Sequence, residues 1–164
     1  METSPNIDPA IERFVAVARR YCEWAEGNLE NSVEELQRAR LLLTELHLAA
    51  IKLPDIGVGE EVEVDEVSSE AWQIMFQRFG NLPVNGYWDV FDPLKEDEKE
   101  AVYNSLADDL ADIYRDVKDG LNLFDAGHII EAVWEWRFSF RTHWGQHLSG
   151  AQRALHSYLQ YEEF

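Results

Sequence analysis

Apolar positions recur with a helical period along most of the chain, and the longest such pattern occupies the last third. Between His128 and Tyr161, read at about 100° per residue, Ile129, Val133, Trp136, Phe140, Trp144, His147, Ala151, Leu155 and Tyr158 fall on one stripe with no proline to interrupt it. The stripe runs for roughly nine turns, where an average globular helix has about three. Two of its members are polar: His147 near the centre and Arg137 close to the edge. A buried imidazole or cation requires a partner, so the stripe predicts acids on a neighbouring element.

The upstream patterns are shorter. Asp8 and Pro9 supply an N-cap followed by the proline favoured at N1. Ile11, Phe14, Ala18, Tyr21, Cys22 and Ala25 then repeat until Gly27 and Asn28, with Arg13, Arg19 and Arg20 off the stripe. Ser32-Val33-Glu34-Glu35 is spelled as a capping box and opens a second helix with Leu36, Ala39, Leu43, Leu46 and Ala50 on its stripe, closed by Pro54. Residues 54–68 partly alternate valines with acids, but one isolated strand has nothing to pair with; the expectation is an acidic connection. A short helix follows from Ser69 to Gly80. Residues 81–93 form an aromatic loop with turn signals. A fourth helix, Ser105 to Ala126, carries Leu106, Leu110, Ile113, Val117, Leu121 and Phe124. Only Asp125 to His128 separate it from the last stripe, which implies an antiparallel hairpin. The predicted fold is an all-α, single-domain bundle of about five helices over residues 1–164, ending in a long helical hairpin.

A net charge of −18 changes what this bundle can meet. Nucleic acid and anionic membrane are disfavoured, because both are bound through clustered Lys and Arg. A cation, a basic protein partner or polyanion mimicry is permitted; the plain alternative is a solvated acidic surface. The single cysteine, Cys22, excludes an intramolecular disulfide and reads as a core thiol. Met1 to Ile7 is short and polar, unlike an export signal, and no apolar run approaches the ~20 residues of a membrane span. A cytoplasmic protein is expected.

Candidate chemistry gathers on the last two helices. His143 and His147, at i and i+4, can point at one ion from a single helix face. With Asp112 and Asp116 as oxygen ligands and His47 as a fifth contributor, they would make a mixed site for zinc, iron or manganese. The Glu-x-x-His spelling of bundle-core metal sites is absent. The alternative is a buried polar network in which Asp112 or Asp116 accepts from His147 and pairs with Arg137, holding helix register. Asp108, Asp112, Asp116 and Asp119 share a face roughly 150° from the apolar stripe. Solvent is therefore the first expectation for them, unless a second element covers the helix. Asp108-Asp109-Leu110-Ala111-Asp112 matches the aspartate-rich spelling of isoprenoid synthases, without a second acidic motif. No nucleophile elbow or phosphate-cradling glycine loop occurs. Tyr87, Trp88 and Phe91 would plug the bundle end or form a lip over a pocket. Gly145 and Gly150 predict close packing or a kink.

The runs Asp108-Asp109-Leu110-Ala111-Asp112-Ile113-Tyr114-Arg115-Asp116, Trp134-Glu135-Trp136-Arg137-Phe138 and His143-Trp144-Gly145-Gln146-His147-Leu148 resemble a bacterial family catalogued only as a domain of unknown function. The likeness covers most of the chain and is most specific from Ser105 to His156. It implies a small all-helical protein and carries over no activity, cofactor or catalytic residue. The sequence favours an intracellular protein that binds a partner through its acidic surface or through Tyr87, Trp88 and Phe91. Two alternatives stand beside it: a metal-binding or metal-dependent protein with a His/Asp site between the last two helices, and an acidic inhibitor or immunity-type protein.

Overall fold

Each of the first four helices starts at a side chain able to accept the amides that a helix N-terminus leaves unpaired. In the computed structural model, which describes residues 6–97 and 99–162, α1 (Pro9–Glu26) begins at Asp8, whose carboxylate accepts from the Ala10 amide at 2.8 Å. α2 (Val33–Ile51) begins at Ser32 and α3 (Ser69–Phe79) at Ser68, with cap bonds of 3.2 and 3.1 Å. α4 (Leu106–Asp125) begins at Ser105. After the turn at Gly127, where φ is +91°, α5 (Ile129–Ser139), a π-helical segment (Phe140–Trp144) and α6 (Gly145–Glu162) follow without a break. Counted as one run, these bring the described helices to five. Of the polar start, Met1–Pro5 lie outside the described residues.

α4 is the central rod, packed against α1, α3, α5 and α6, while α2 packs on α1 and α6. Trp136 and Trp144 are fully buried, with the Phe14 ring 4.6 and 6.3 Å from theirs. Their polar atoms are satisfied, as burial demands: the Trp136 indole N–H donates to the Val117 carbonyl at 3.0 Å and that of Trp144 to Ser139 Oγ at 3.1 Å. Gly120 makes room for Trp136, since a Cβ there would land on the indole. Glu35 departs from its capping-box role: it turns inward and accepts from the Trp24 indole at 2.6 Å and the Glu30 amide at 3.3 Å. Cys22 is buried, and burial pushes its thiol up to about 12, so it is a core residue.

Three features depart from the sequence pattern. The aromatic loop contributes a strand, β1 (Gly86–Asp89), pairing antiparallel with β2 (Val102–Ser105), Gly86 opposite Ser105 and Asp89 opposite Val102. Period two turns Tyr87 inward. Trp88 and Phe91 do not plug the bundle: they are 69% and 70% exposed. The acidic connection, 54–68, has no regular secondary structure but is tied down, with the Val67 amide donating to Asp119 at 2.7 Å and the Asn122 amide to the Asp65 carbonyl at 2.9 Å.

The third departure is the π segment. The Gly145 amide reaches back five residues to the Phe140 carbonyl, and a Cβ at position 145 would collide with that oxygen. One extra residue in a turn rotates everything after it by about 100° relative to a straight α-helix. Beyond Trp144 the buried stripe therefore passes through Leu148, Ala151, Leu155 and Leu159, and His147 moves from the predicted stripe centre to the flank that meets α4.

Candidate metal centre

Asp108, Asp109, Asp112 and Asp116 occupy the first three turns of α4, and the π segment and α6 lay His143 and His147 across them. His147 Nδ1 is 2.8 Å from Asp109 Oδ1, and its Nε2 is 3.2 Å from Asp112 Oδ2. His143 repeats the arrangement one turn on, with Nδ1 2.6 Å from Asp116 Oδ2 and Nε2 3.6 Å from that same Asp112 Oδ2. The other oxygen of Asp112 accepts from the Trp72 indole at 2.9 Å and from Arg115 at 2.8 Å. These two donors fix the carboxylate plane so that Oδ2 faces both imidazoles. Asp109 is held in turn by the Tyr87 hydroxyl, which donates to Oδ2 at 2.5 Å.

Two nitrogens and one oxygen thus converge. The Asp112, His143 and His147 donor atoms lie within 4.8 Å of one another. Ligands of a tetrahedral ion with bonds of ~2.0–2.2 Å stand about 3.3–3.6 Å apart, close to the 3.2 and 3.6 Å separations from Asp112 Oδ2. Each histidine has its far nitrogen on a carboxylate, the outer-shell pairing that fixes tautomer and ring orientation in metal sites. Without an ion the same geometry holds protons: an imidazolium at His147 would donate to Asp109 and Asp112 together.

The electrostatics follow from burial. Burial pushes Asp109 above its ordinary value, against the opposing hydrogen bonds of His147 and Tyr87. Asp116 is raised by burial against its bond to His143, and Asp108 by burial and the charge of Asp112. Burial lowers His147, but the Asp109 hydrogen bond and the charges of Asp109, Asp112 and Asp108 outweigh it, leaving the imidazole above its ordinary value. The site is crowded with negative charge and favours any cation, proton or metal, that relieves it.

The expectation of a solvated aspartate face is overturned: Asp112 is 8% exposed and Asp108, Asp116 and Asp119 are half-buried, with Asp109 beside them buried as well. α3 covers one side through Trp72 and the β-ribbon covers another through Tyr87. Arg137 does not join the network; it pairs with Asp55 at 2.8 Å. His47 stands apart too, its Nδ1 3.1 Å from Gln152 Oε1 and its ring 5.7 Å from that of Phe140, a packing histidine. Asp116 sits behind His143 Nδ1 rather than at the convergence point. Asp109, Trp72 and Arg115 are additional members. Asp109 had a legible signal, since on the helical wheel it lies only about 80° from the centre of the apolar stripe.

A cavity of about 340 Å³ opens beside the histidines, lined by Tyr87, Asp89, Phe91, Val102, Asn104, Asp108, Thr142 and Gln146 among others. A larger hollow of about 1220 Å³ lies under the 54–68 strap, lined by nine carboxylates and by no histidine or cysteine.

Among the described residues no helix is long and apolar enough to cross a membrane. The crystal structure of protein BF1032 from Bacteroides fragilis is similar, with a TM-score of 0.77 and 24% identity over 91% of each chain, a likeness of fold. No curated protein matches the chain. A family model matches residues 5–161, nearly the whole length, and the chain belongs to that family, described as a domain of unknown function (DUF5063).

Proposed function

We propose that this is an intracellular protein that binds a divalent transition-metal ion between α4 and the π segment with α6. His143 Nε2, His147 Nε2 and Asp112 Oδ2 would be the ligands. One observation carries the reading: both Nε2 atoms face a single carboxylate oxygen while both Nδ1 atoms are occupied by further carboxylates. A set of two histidines and one carboxylate suits zinc, iron or manganese and leaves coordination positions for water or a ligand. The acidic surroundings add affinity for a cation, and Asp116 and Asp109 orient the two rings through their Nδ1 atoms.

Elemental analysis of protein purified without chelator or affinity histidines tests this, beside a His143→Ala, His147→Ala double variant. The expected result is about one zinc, iron or manganese per chain, absent from a variant that remains folded. Protein that takes up no metal on titration with Zn²⁺ or Co²⁺, or a folded variant that binds as the parent does, would overturn it.

A second reading has its own support. Trp88 and Phe91 are 69% and 70% exposed, beside Tyr103 at 60%, and exposed aromatics of this size are characteristic of partner surfaces. Docking of a protein partner on the β-ribbon predicts that Trp88→Ala together with Phe91→Ala abolishes capture of that partner without changing stability. Retained capture would remove the ribbon as the interface.

A further inference from the structure

The cavity beside the histidines has a chemical bias of its own. It measures about 340 Å³, room for a molecule of several heavy atoms, and His143 and His147 are among its lining residues. Asp89, Asp108 and Asp109 present carboxylates to it, and among the described residues lining it there is no lysine or arginine. Asp109 is committed to His147 and Tyr87. The Asp108 carboxylate has no such commitment among the described residues, although its backbone amide is held by Ser105.

The charge count decides between ligand classes. Four carboxylates (Asp108, Asp109, Asp112 and Asp116) against Arg115 and a divalent ion leave one net negative charge at the centre, and Asp89 in the cavity lining adds another. In most metal centres the ion's own charge attracts carboxylate or phosphate ligands; here the surrounding acids cancel it. Over the few ångströms of the cavity these charges act together, so the sign of the sum matters more than the presence of the metal. An anion entering would also leave Asp108 and Asp89 facing a like charge, which costs affinity. An ammonium or amide N–H would instead give those two acceptors hydrogen bonds, with Phe91 and Val102 covering an aliphatic stem.

We infer that this cavity is a binding site for a small amine- or amide-bearing molecule seated against the metal, and that it rejects carboxylates and phosphate esters of the same size. The inference rests on the metal reading above. The deciding experiment uses three molecules that share a four-carbon stem and differ in charge, n-butylamine, butyramide and butyrate (the last two isosteric), with inorganic phosphate as a fourth probe. Each is titrated into Co²⁺-loaded protein and followed by the cobalt visible spectrum and by NMR shifts of His143, His147 and Tyr87. Butylamine and butyramide should perturb Tyr87 and the histidines, with butyrate and phosphate at least about tenfold weaker. In a doubly substituted Asp89→Asn, Asp108→Asn protein the gap between butylamine and butyrate should shrink severalfold. Failure of Co²⁺ to bind sinks the metal reading. Normal Co²⁺ binding with butyrate as tight as butylamine, with none of the probes binding, or with a gap unchanged in the double variant, sinks the ligand class alone.

Discussion

Replacing Asp109 by Asn probes the site at its most economical point. The side chain keeps its size, and Asn Oδ1 can still accept from the His147 Nδ1–H that Asp109 holds at 2.8 Å. The Tyr87 hydroxyl, 2.5 Å from the other oxygen, can rotate to accept from the new amide. What disappears is the negative charge behind the imidazole, and at 4% exposure no water takes its place. Outer-shell carboxylates of this kind are worth 10–100-fold in metal affinity, or about 1.4–2.7 kcal/mol. The expected outcome is thus a Zn²⁺ or Co²⁺ Kd raised by about 10–100-fold, measured by competition against a chromophoric chelator, in protein whose circular dichroism matches the parent. Tyr87→Phe, which removes a neutral donor from the same carboxylate, should cost less. If folded Asp109→Asn binds metal within about twofold of the parent while His147→Ala loses it, the carboxylate does not orient the ligand and the argument from geometry fails.

Other consequences are as direct. Asp108, Asp109, Asp116 and Glu135 lie above their ordinary values and Asp119 at about 6, each chiefly through burial. His147 is raised as well, its acidic partners outweighing burial. Groups raised on folding stabilise below their unfolded values, 3.8 for Asp and 6.5 for His, and lose that contribution as pH climbs through the folded ones. Metal-free protein should therefore melt higher at pH 5.5 than at pH 8, and a flat or reversed profile would refute this. Metal competes with the proton at Nε2, so affinity should rise over that same range; chelator competition at several pH values checks it. Gly120→Ala should gain ~1 kcal/mol of helix propensity but lose about 1–3 kcal/mol to overpacking against Trp136 and as much again if the indole N–H to Val117 is broken. Urea unfolding should show a net loss, and a stabilised variant would mean that the α4–α5 seam has slack. Gly145→Ala should destabilise the π turn and displace His143, weakening metal binding by more than tenfold if the turn sets the ligand register; unchanged affinity would separate the two.

Much of the fold was written along the chain. Asp8, Ser32, Ser105, Gly27 and Gly127 mark helix ends because a helix terminus has local, one-residue requirements, and the apolar stripes of α1, α2 and α4 mark core faces because one helix face suffices to bury them. His143 and His147 were legible as a pair because four residues make one turn. The rest depended on elements far apart in sequence. The β-ribbon joins strands of four residues across an intervening loop, too short for a period to speak. The π turn depends on the Phe140 carbonyl meeting a glycine amide, and it displaces His147 from the stripe that a constant 100° repeat assigns to it. Arg137 went to Asp55 because the strap passes over α5, and His47 to Gln152 because α2 lies against α6. Above all, the aspartate face of α4 reads as solvent when a helix is given one buried side. α4 has three, and only the packing of α3, α6 and the ribbon around it turned those charges into a site.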